Sequence, residues 1–123
     1  MKEERQRREQ RGRQAEDQAA AFLETQGSEI LARRLRTPSG EVDLVAFDGA
    51  VLVFAEVKAR ASAGRGLFAL SPRQAARIAA AAEFFLADHP EHAESLVRLD
   101  LIVIAPGRPP AHFPDAWQAE LED

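Results

Sequence analysis

Cysteine is absent from this 123-residue chain, which removes disulfide frameworks, thiolate nucleophiles and Cys-based zinc sites from consideration. Long apolar runs are missing too. The start, Met1-Lys2-Glu3-Glu4-Arg5, lacks the apolar segment of a signal peptide, and no stretch is long enough to cross a bilayer. The expectation is a soluble, cytoplasmic protein without membrane contact. An excess of positive charge is also lacking, since 16 Lys and Arg stand against 20 Asp and Glu for a net charge of −4. That balance argues against a sequence-blind DNA coat protein. No internal repeat is visible. A chain of this length is expected to form one domain and to bury about two-thirds of its unfolded surface. The polar residues 1–12 read as an extension, either fraying from the next helix or disordered, ahead of a domain over residues 13–123.

Against these absences stands one dense stretch, Gly40-Glu41-Val42-Asp43-Leu44, followed by Glu56-Val57-Lys58. Its acids and lysine lie among Val42, Leu44, Val45, Phe47, Val51, Leu52, Val53, Phe54 and Val57. Ionised groups in an apolar strand pair cost several kcal/mol unless something pairs with them. Asp48-Gly49 is a hairpin signal. With those residues as the loop, Phe47 pairs with Ala50 and the ladder runs on to Asp43–Phe54 and Glu41–Glu56. Alternation then puts Glu41, Asp43, Glu56 and Lys58 on one face, with Asp43 and Glu56 diagonal neighbours roughly 7 Å apart. Val42, Leu44, Val51, Val53 and Val57 form the opposite, core-facing layer. A three-residue loop would send the two acids to opposite faces.

Two carboxylates that can bracket an ion suit Mg²⁺ or Mn²⁺, hard cations that take oxygen ligands and retain water. Lys58 is then placed to orient an attacking water or to stabilise developing negative charge. The bland alternative is an ion pair of Lys58 with Glu41 or Glu56. Val57–Ala82 carries Lys58, Arg60, Arg65, Arg73 and Arg77 without an acid, and Ile30–Gly40 adds Arg33, Arg34 and Arg36. The segments flanking the acids are therefore locally positive, as phosphate-backbone contacts require, although solvated arginines give the same pattern.

Helical spacing of Ala15, Ala19, Phe22 and Leu23 predicts a helix from about Arg13 to Gln26, closed by Gly27. Ser28–Arg36 reads as a largely exposed strand anchored by Ile30 and Leu35, and Thr37-Pro38-Ser39-Gly40 as a turn. Ala59–Leu70, bearing Gly64 and Gly66, reads as a loop. Ser71, Pro72 and Gln74 then form a capping box. The helix they start carries a stripe of Ala75, Ile78, Ala79, Ala82, Phe85 and Leu86, turns Arg73 and Arg77 outward, and stops near Asp88. Leu99–Ile104 reads as a buried strand, parallel to a hairpin strand after a right-handed crossover, in which Asp100 needs a partner. The tail, with Phe113 and Trp117, adds a short strand or wraps the sheet. The predicted class is α/β, in the order α-β-β-β-α-β, with a mixed sheet flanked by helices. His89, His92 and His112 raise a zinc reading that lacks a clear third ligand.

The motifs Gly40-Glu41-Val42-Asp43-Leu44-Val45 and Leu52-Val53-Phe54-Ala55-Glu56-Val57-Lys58-Ala59-Arg60 resemble those of the YraN family. The likeness extends to Gly12, Glu16, Ala19-Ala20 and Leu23, to Gly27 and Ile30–Arg33, and to Gly66, Arg77-Ile78, Ala82, Arg98–Asp100 and Ala116-Trp117. These small bacterial proteins fall in the restriction-endonuclease-like PD-(D/E)xK superfamily, beside archaeal Holliday-junction resolvases. The resemblance implies a metal-dependent endonuclease for structured or branched DNA in repair or recombination, dimeric where two strands are cut. It implies Asp43, Glu56, the Val57 carbonyl and Glu16 as metal ligands, Lys58 as the catalytic lysine and Glu41 as an accessory. Nucleic acid would meet Arg36, Arg60, Arg65, Arg73, Gln74 and Arg77. Similar sequences carry Lys where this chain has Gln74, and an aromatic where it has Ser28. Two other readings share these residues: a binding module that keeps the nuclease fold without cutting, and an RNA-processing enzyme.

Overall fold

A computed structural model describes residues 1–61 and 70–116. Arg65, the glycines of its loop and Trp117 lie outside them. Helix α1 (Lys2–Thr25) leads into β1 (Glu29–Thr37), β2 (Gly40–Phe47) and β3 (Val51–Ala59); α2 (Pro72–Asp88), a 3₁₀ turn (Pro90–His92), β4 (Leu96–Ile104) and β5 (Ala111–Phe113) follow. The strands form one sheet in the order β1-β2-β3-β4-β5. Every neighbouring pair is antiparallel except β3 and β4, which run parallel, as a strand reached through a helix does.

α1 begins at Lys2 rather than Arg13, and its first ten residues are exposed all round. Only from Ala15 do Ala19, Ala20 and Leu23 press a narrow stripe against the sheet. The helix closes with the hydrogen-bond pair of a Schellman motif, Gly27 N–H to Glu24 O and Ser28 N–H to Leu23 O, both 3.0 Å. α2 starts on the expected capping box, with Ser71 Oγ accepting from Gln74 N–H and Gln74 Oε1 from Ser71 N–H. Ala75, Ile78, Ala81, Ala82 and Phe85 are buried. Ala81 takes the place in the stripe expected of Ala79, which is only partly covered.

The sheet is sandwiched. On one side Val45, Leu52, Phe54, Leu101 and Val103 pack with α2, and on the other Leu44, Ala46, Val53, Ala55, Ile102 and Ile104 pack with α1. Each central strand is therefore apolar on both faces, which explains the near-continuous apolar runs in β3 and β4. β4 starts at Leu96, three residues before the run expected, because Leu96 and Val97 extend the ladder while still exposed.

Candidate functional site

The hairpin reverses one residue later than expected. Asp48 Oδ1 accepts the N–H groups of Ala50 (2.9 Å) and Val51 (2.8 Å), and Asp48 N–H reaches Val51 O at 3.3 Å. Gly49-Ala50 is thus the tight loop, and Gly49 takes the positive φ (+100°) that it demands. Phe47 pairs with Leu52 and Val45 with Phe54, two residues away from the expected ladder. An even shift preserves faces. The paired register ends at Leu44↔Ala55, one step short of Asp43 and Glu56, so neither the expected Asp43–Phe54 pair nor the expected Glu41–Glu56 pair forms.

Beyond Leu44↔Ala55 the paired ladder ends, although both strands continue. The cause is visible at Asp43, whose Oδ2 takes the Val57 N–H at 2.7 Å. A side chain here replaces the carbonyl that a regular ladder would supply, and the strands fork. Alternation breaks at the same point: Leu44 packs toward α1, but Val42 turns to the α2 layer with Val45. The expected shared layer of Val42 and Leu44 is corrected accordingly. A strand residue sends its N–H and C=O to the same edge, so the Val57 carbonyl also points to the β2 side of β3.

Asp43 and Glu56 are half-buried. Burial, followed by the charge of Glu56, pushes the Asp43 carboxyl from 3.8 up to about 7; Glu16 adds to this, while the Val57 N–H and Lys58 oppose it. Lys58 Nζ lies 3.3 Å from Glu56 Oε2, as residues two apart on one strand face allow. Glu16 reaches the region from α1, but its carboxylate is taken by Arg34 Nε at 2.8 Å. Arg34 is a non-glycine residue at φ 53° in β1, a strained conformation of the kind found at functional positions. Its role in holding Glu16 carried no signal in the sequence. Glu41 is exposed and pairs with Arg36 at 3.3 Å.

Two carboxylates whose repulsion raises one pKa have the chemistry of a hard-cation site, and the Val57 carbonyl adds a neutral oxygen. Glu16, as Arg34 holds it, is not a free ligand. Among the described residues no group of three or more His, Cys, Asp or Glu side chains is arranged to hold a metal ion. The oxygens left to meet a cation are those of Asp43, Glu56 and the Val57 carbonyl.

Of the expected nucleic-acid contacts, Arg36 and Arg73 are exposed, and Gln74 is engaged in its capping box. Arg77 is exposed at its head, while its stem packs on Gly40, whose hypothetical Cβ would lie 3.1 Å from Arg77 Cγ. Arg60 follows β3, its N–H bonded to Ile104 O at 2.9 Å. Arg65 lies outside the described residues.

Asp100 finds the partners it needed. It is fully buried, accepting from Arg98 Nε (2.8 Å) and the same guanidinium's second nitrogen (2.9 Å), from His112 Nε2 (2.7 Å) and from Asp115 N–H (2.9 Å). Burial pushes its pKa up, but these donors outweigh it and hold the carboxyl below the ordinary range. The zinc reading fails to gather its histidines: His112 serves Asp100, His89 stacks on Phe85 at 3.8 Å, and His92 meets Phe47 edge-on.

Fold and site together define a mixed α/β protein with a carboxylate–lysine cluster where two central strands fork. The chain belongs to the uncharacterised protein family UPF0102, whose model matches residues 15–104. It is similar to a UPF0102 protein of Rhodopseudomonas palustris, 52% identical over 108 residues that cover 88% of this chain and 83% of the relative. A UPF0102 protein of Bradyrhizobium diazoefficiens is 49% identical over 108 residues, covering 88% and 81%. No helix among the described residues is long and apolar enough to cross a membrane.

Proposed function

We propose that this protein is a metal-dependent endonuclease of the PD-(D/E)xK superfamily, acting in the cytoplasm on structured or branched DNA. The observation that carries the reading is the 2.7 Å bond from Val57 N–H to Asp43 Oδ2, which sets the Asp43 carboxyl beside the Glu56–Val57 peptide. Burial and then the charge of the half-buried Glu56 lift the Asp43 carboxyl to about 7, an arrangement that a divalent cation would relieve. Asp43, Glu56 and the Val57 carbonyl would hold Mg²⁺ or Mn²⁺. Such a cation, when bound, polarises a phosphodiester and lowers the pKa of its water. Val57 N–H fixes the Asp43 carboxylate. Lys58, tethered by Glu56, presents an ammonium beside the acids, where negative charge would develop on the phosphate oxygens.

One observation favours a second reading, a nucleic-acid-binding module without cleavage: Arg34 occupies Glu16, so the acid from α1 is withheld from the cluster. Calorimetric titration of Mg²⁺ and Mn²⁺ into wild type and Asp43→Ala/Glu56→Ala, followed by labelled four-way junction, flap and linear DNA, separates the two. Metal binding and cleavage that both disappear in the double variant support the nuclease. DNA binding that needs no metal and yields no product supports the module.

A further inference from the structure

Beyond the carboxylates, the carboxyl ends of β3 and β4 border a cavity of about 770 Å³. That volume falls within the roughly 300–1,000 Å³ typical of small-ligand sites. Its position outside the carboxyl ends of adjacent parallel strands is where open α/β sheets commonly bind ligands. α1 forms one wall, with Arg11, Gln14 and Gln18 on one helical face. The floor is apolar and buried at Ala15, Ile104 and Ala105. Arg60 and Arg108 also line the cavity, each rooted by its own backbone: Arg60 N–H on Ile104 O, and Arg108 N–H on Ala105 O at 3.3 Å. No acid stands among the described lining residues. Neither Arg11 nor Arg108 makes an ion pair with any described residue.

We propose that this cavity holds one nucleotide of a single DNA strand, its phosphate on the arginines and its base over the apolar floor. The inference rests on the reading that the chain acts on nucleic acid. Guanidinium forks match phosphate oxygens bidentately, an apolar floor takes the face of any base, and glutamine amides offer both donors and acceptors to a base edge. A neighbouring strand, rather than a free nucleotide, is favoured by continuity. Ala59 and Arg60 follow directly on Lys58 along β3, and Ala15 precedes Glu16 on α1, so the cavity is lined by chain neighbours of those residues. The cluster itself is acidic and repels a phosphodiester. The arginines beside it supply the attraction that the cluster lacks.

The test is fluorescence anisotropy of a labelled short oligothymidylate in EDTA, with wild type, Arg11→Gln/Arg108→Gln and Asp43→Ala/Glu56→Ala, and with thymidine monophosphate as competitor. Circular dichroism confirms that each variant is folded; both arginines are exposed, so their replacement leaves the core intact. The arginine variant should bind at least about tenfold more weakly, with a salt slope flatter by roughly 0.7 for each phosphate it no longer neutralises. The carboxylate variant should bind at least as well as wild type. Equal affinity of the arginine variant and wild type overturns the proposal. Binding of the monophosphate without the oligonucleotide also overturns it, assigning the cavity to a free nucleotide. Intact, arginine-dependent oligonucleotide binding with no metal-dependent cleavage leaves this site standing while the nuclease reading falls.

Discussion

Asp43 and Val57 are joined by a side chain that takes the place of a backbone carbonyl. The 2.7 Å bond from Val57 N–H to Asp43 Oδ2 stands where the β2–β3 ladder ends. The acid that stands at the end of the strand pairing is therefore also the acid whose carboxyl is raised by burial and by the charge of Glu56.

The cost of that burial depends on pH. The Asp43 pKa of about 7 in the folded chain exceeds its ordinary 3.8, so the folded state binds more protons between those values. Stability should fall as pH rises through that window and level off above it. Asp43→Asn removes the titration and keeps an acceptor for Val57 N–H. Its stability relative to wild type, from urea unfolding, should improve by on the order of 2 kcal/mol between about pH 4 and about pH 8. A difference independent of pH would refute the assignment.

Asp100 has the opposite sign. Its carboxyl is held below the ordinary range by His112, Arg98 and the Asp115 N–H, against the pull of its burial. Its contribution is complete above the unfolded value near 3.8 and disappears as pH falls through the lower folded value. Removing one partner of a buried charge is severe, so Asp100→Ala should cost about 3–5 kcal/mol. His112→Ala, which leaves the other donors in place, should cost about 1–2 kcal/mol and raise the pH of acid unfolding. An unchanged acid midpoint in His112→Ala would count against a role for His112 in holding the Asp100 carboxylate.

Strain at Arg34 is separable from its ion pair. Arg34→Ala and Arg34→Gly both release Glu16, but only glycine accepts φ 53° without penalty. The glycine variant should be the more stable by about 1 kcal/mol in urea unfolding. Both variants free Glu16, and both should bind Mg²⁺ more tightly than wild type by calorimetry.

Gly40 combines φ +143° with the close approach of the Arg77 stem. Gly40→Ala should destabilise by about 1–2 kcal/mol. Part of that loss should vanish in Arg77→Ala, giving a non-additive double-mutant cycle; simple additivity would show that the contact is unimportant.

Much of this was legible in the chain itself. Ser71, Pro72 and Gln74 mark the start of α2 because capping chemistry is local, and apolar runs reveal β3 and β4 because both of their faces are covered. Asp48-Gly49 located the hairpin but not its register, since the turn that Asp48 Oδ1 makes with the next backbone N–H groups moves the loop by one residue without altering composition. Face alternation failed at Val42 because the fork depends on a tertiary bond from Asp43. Arg98 stands two residues from Asp100, but His112 lies 12 residues from Asp100 and Arg34 lies 18 from Glu16, and side-chain pairings at such separations leave no periodic trace. Asp100 announced only that a partner was needed.

β1 has one further consequence, for assembly. It is the outer strand on its side of the sheet, interrupted by a register shift between Ile30 and Ala32 and by the turned backbone of Arg34, and it carries Arg33, Arg34 and Arg36 along its length. Bulges and charges of this kind spoil an edge as a template for another strand. At the far side, β5 is only three residues long. Neither border of the described sheet offers a second copy a long, flat strand to extend, so a dimer of this protein would be built through side-chain surfaces rather than by joining two sheets into one.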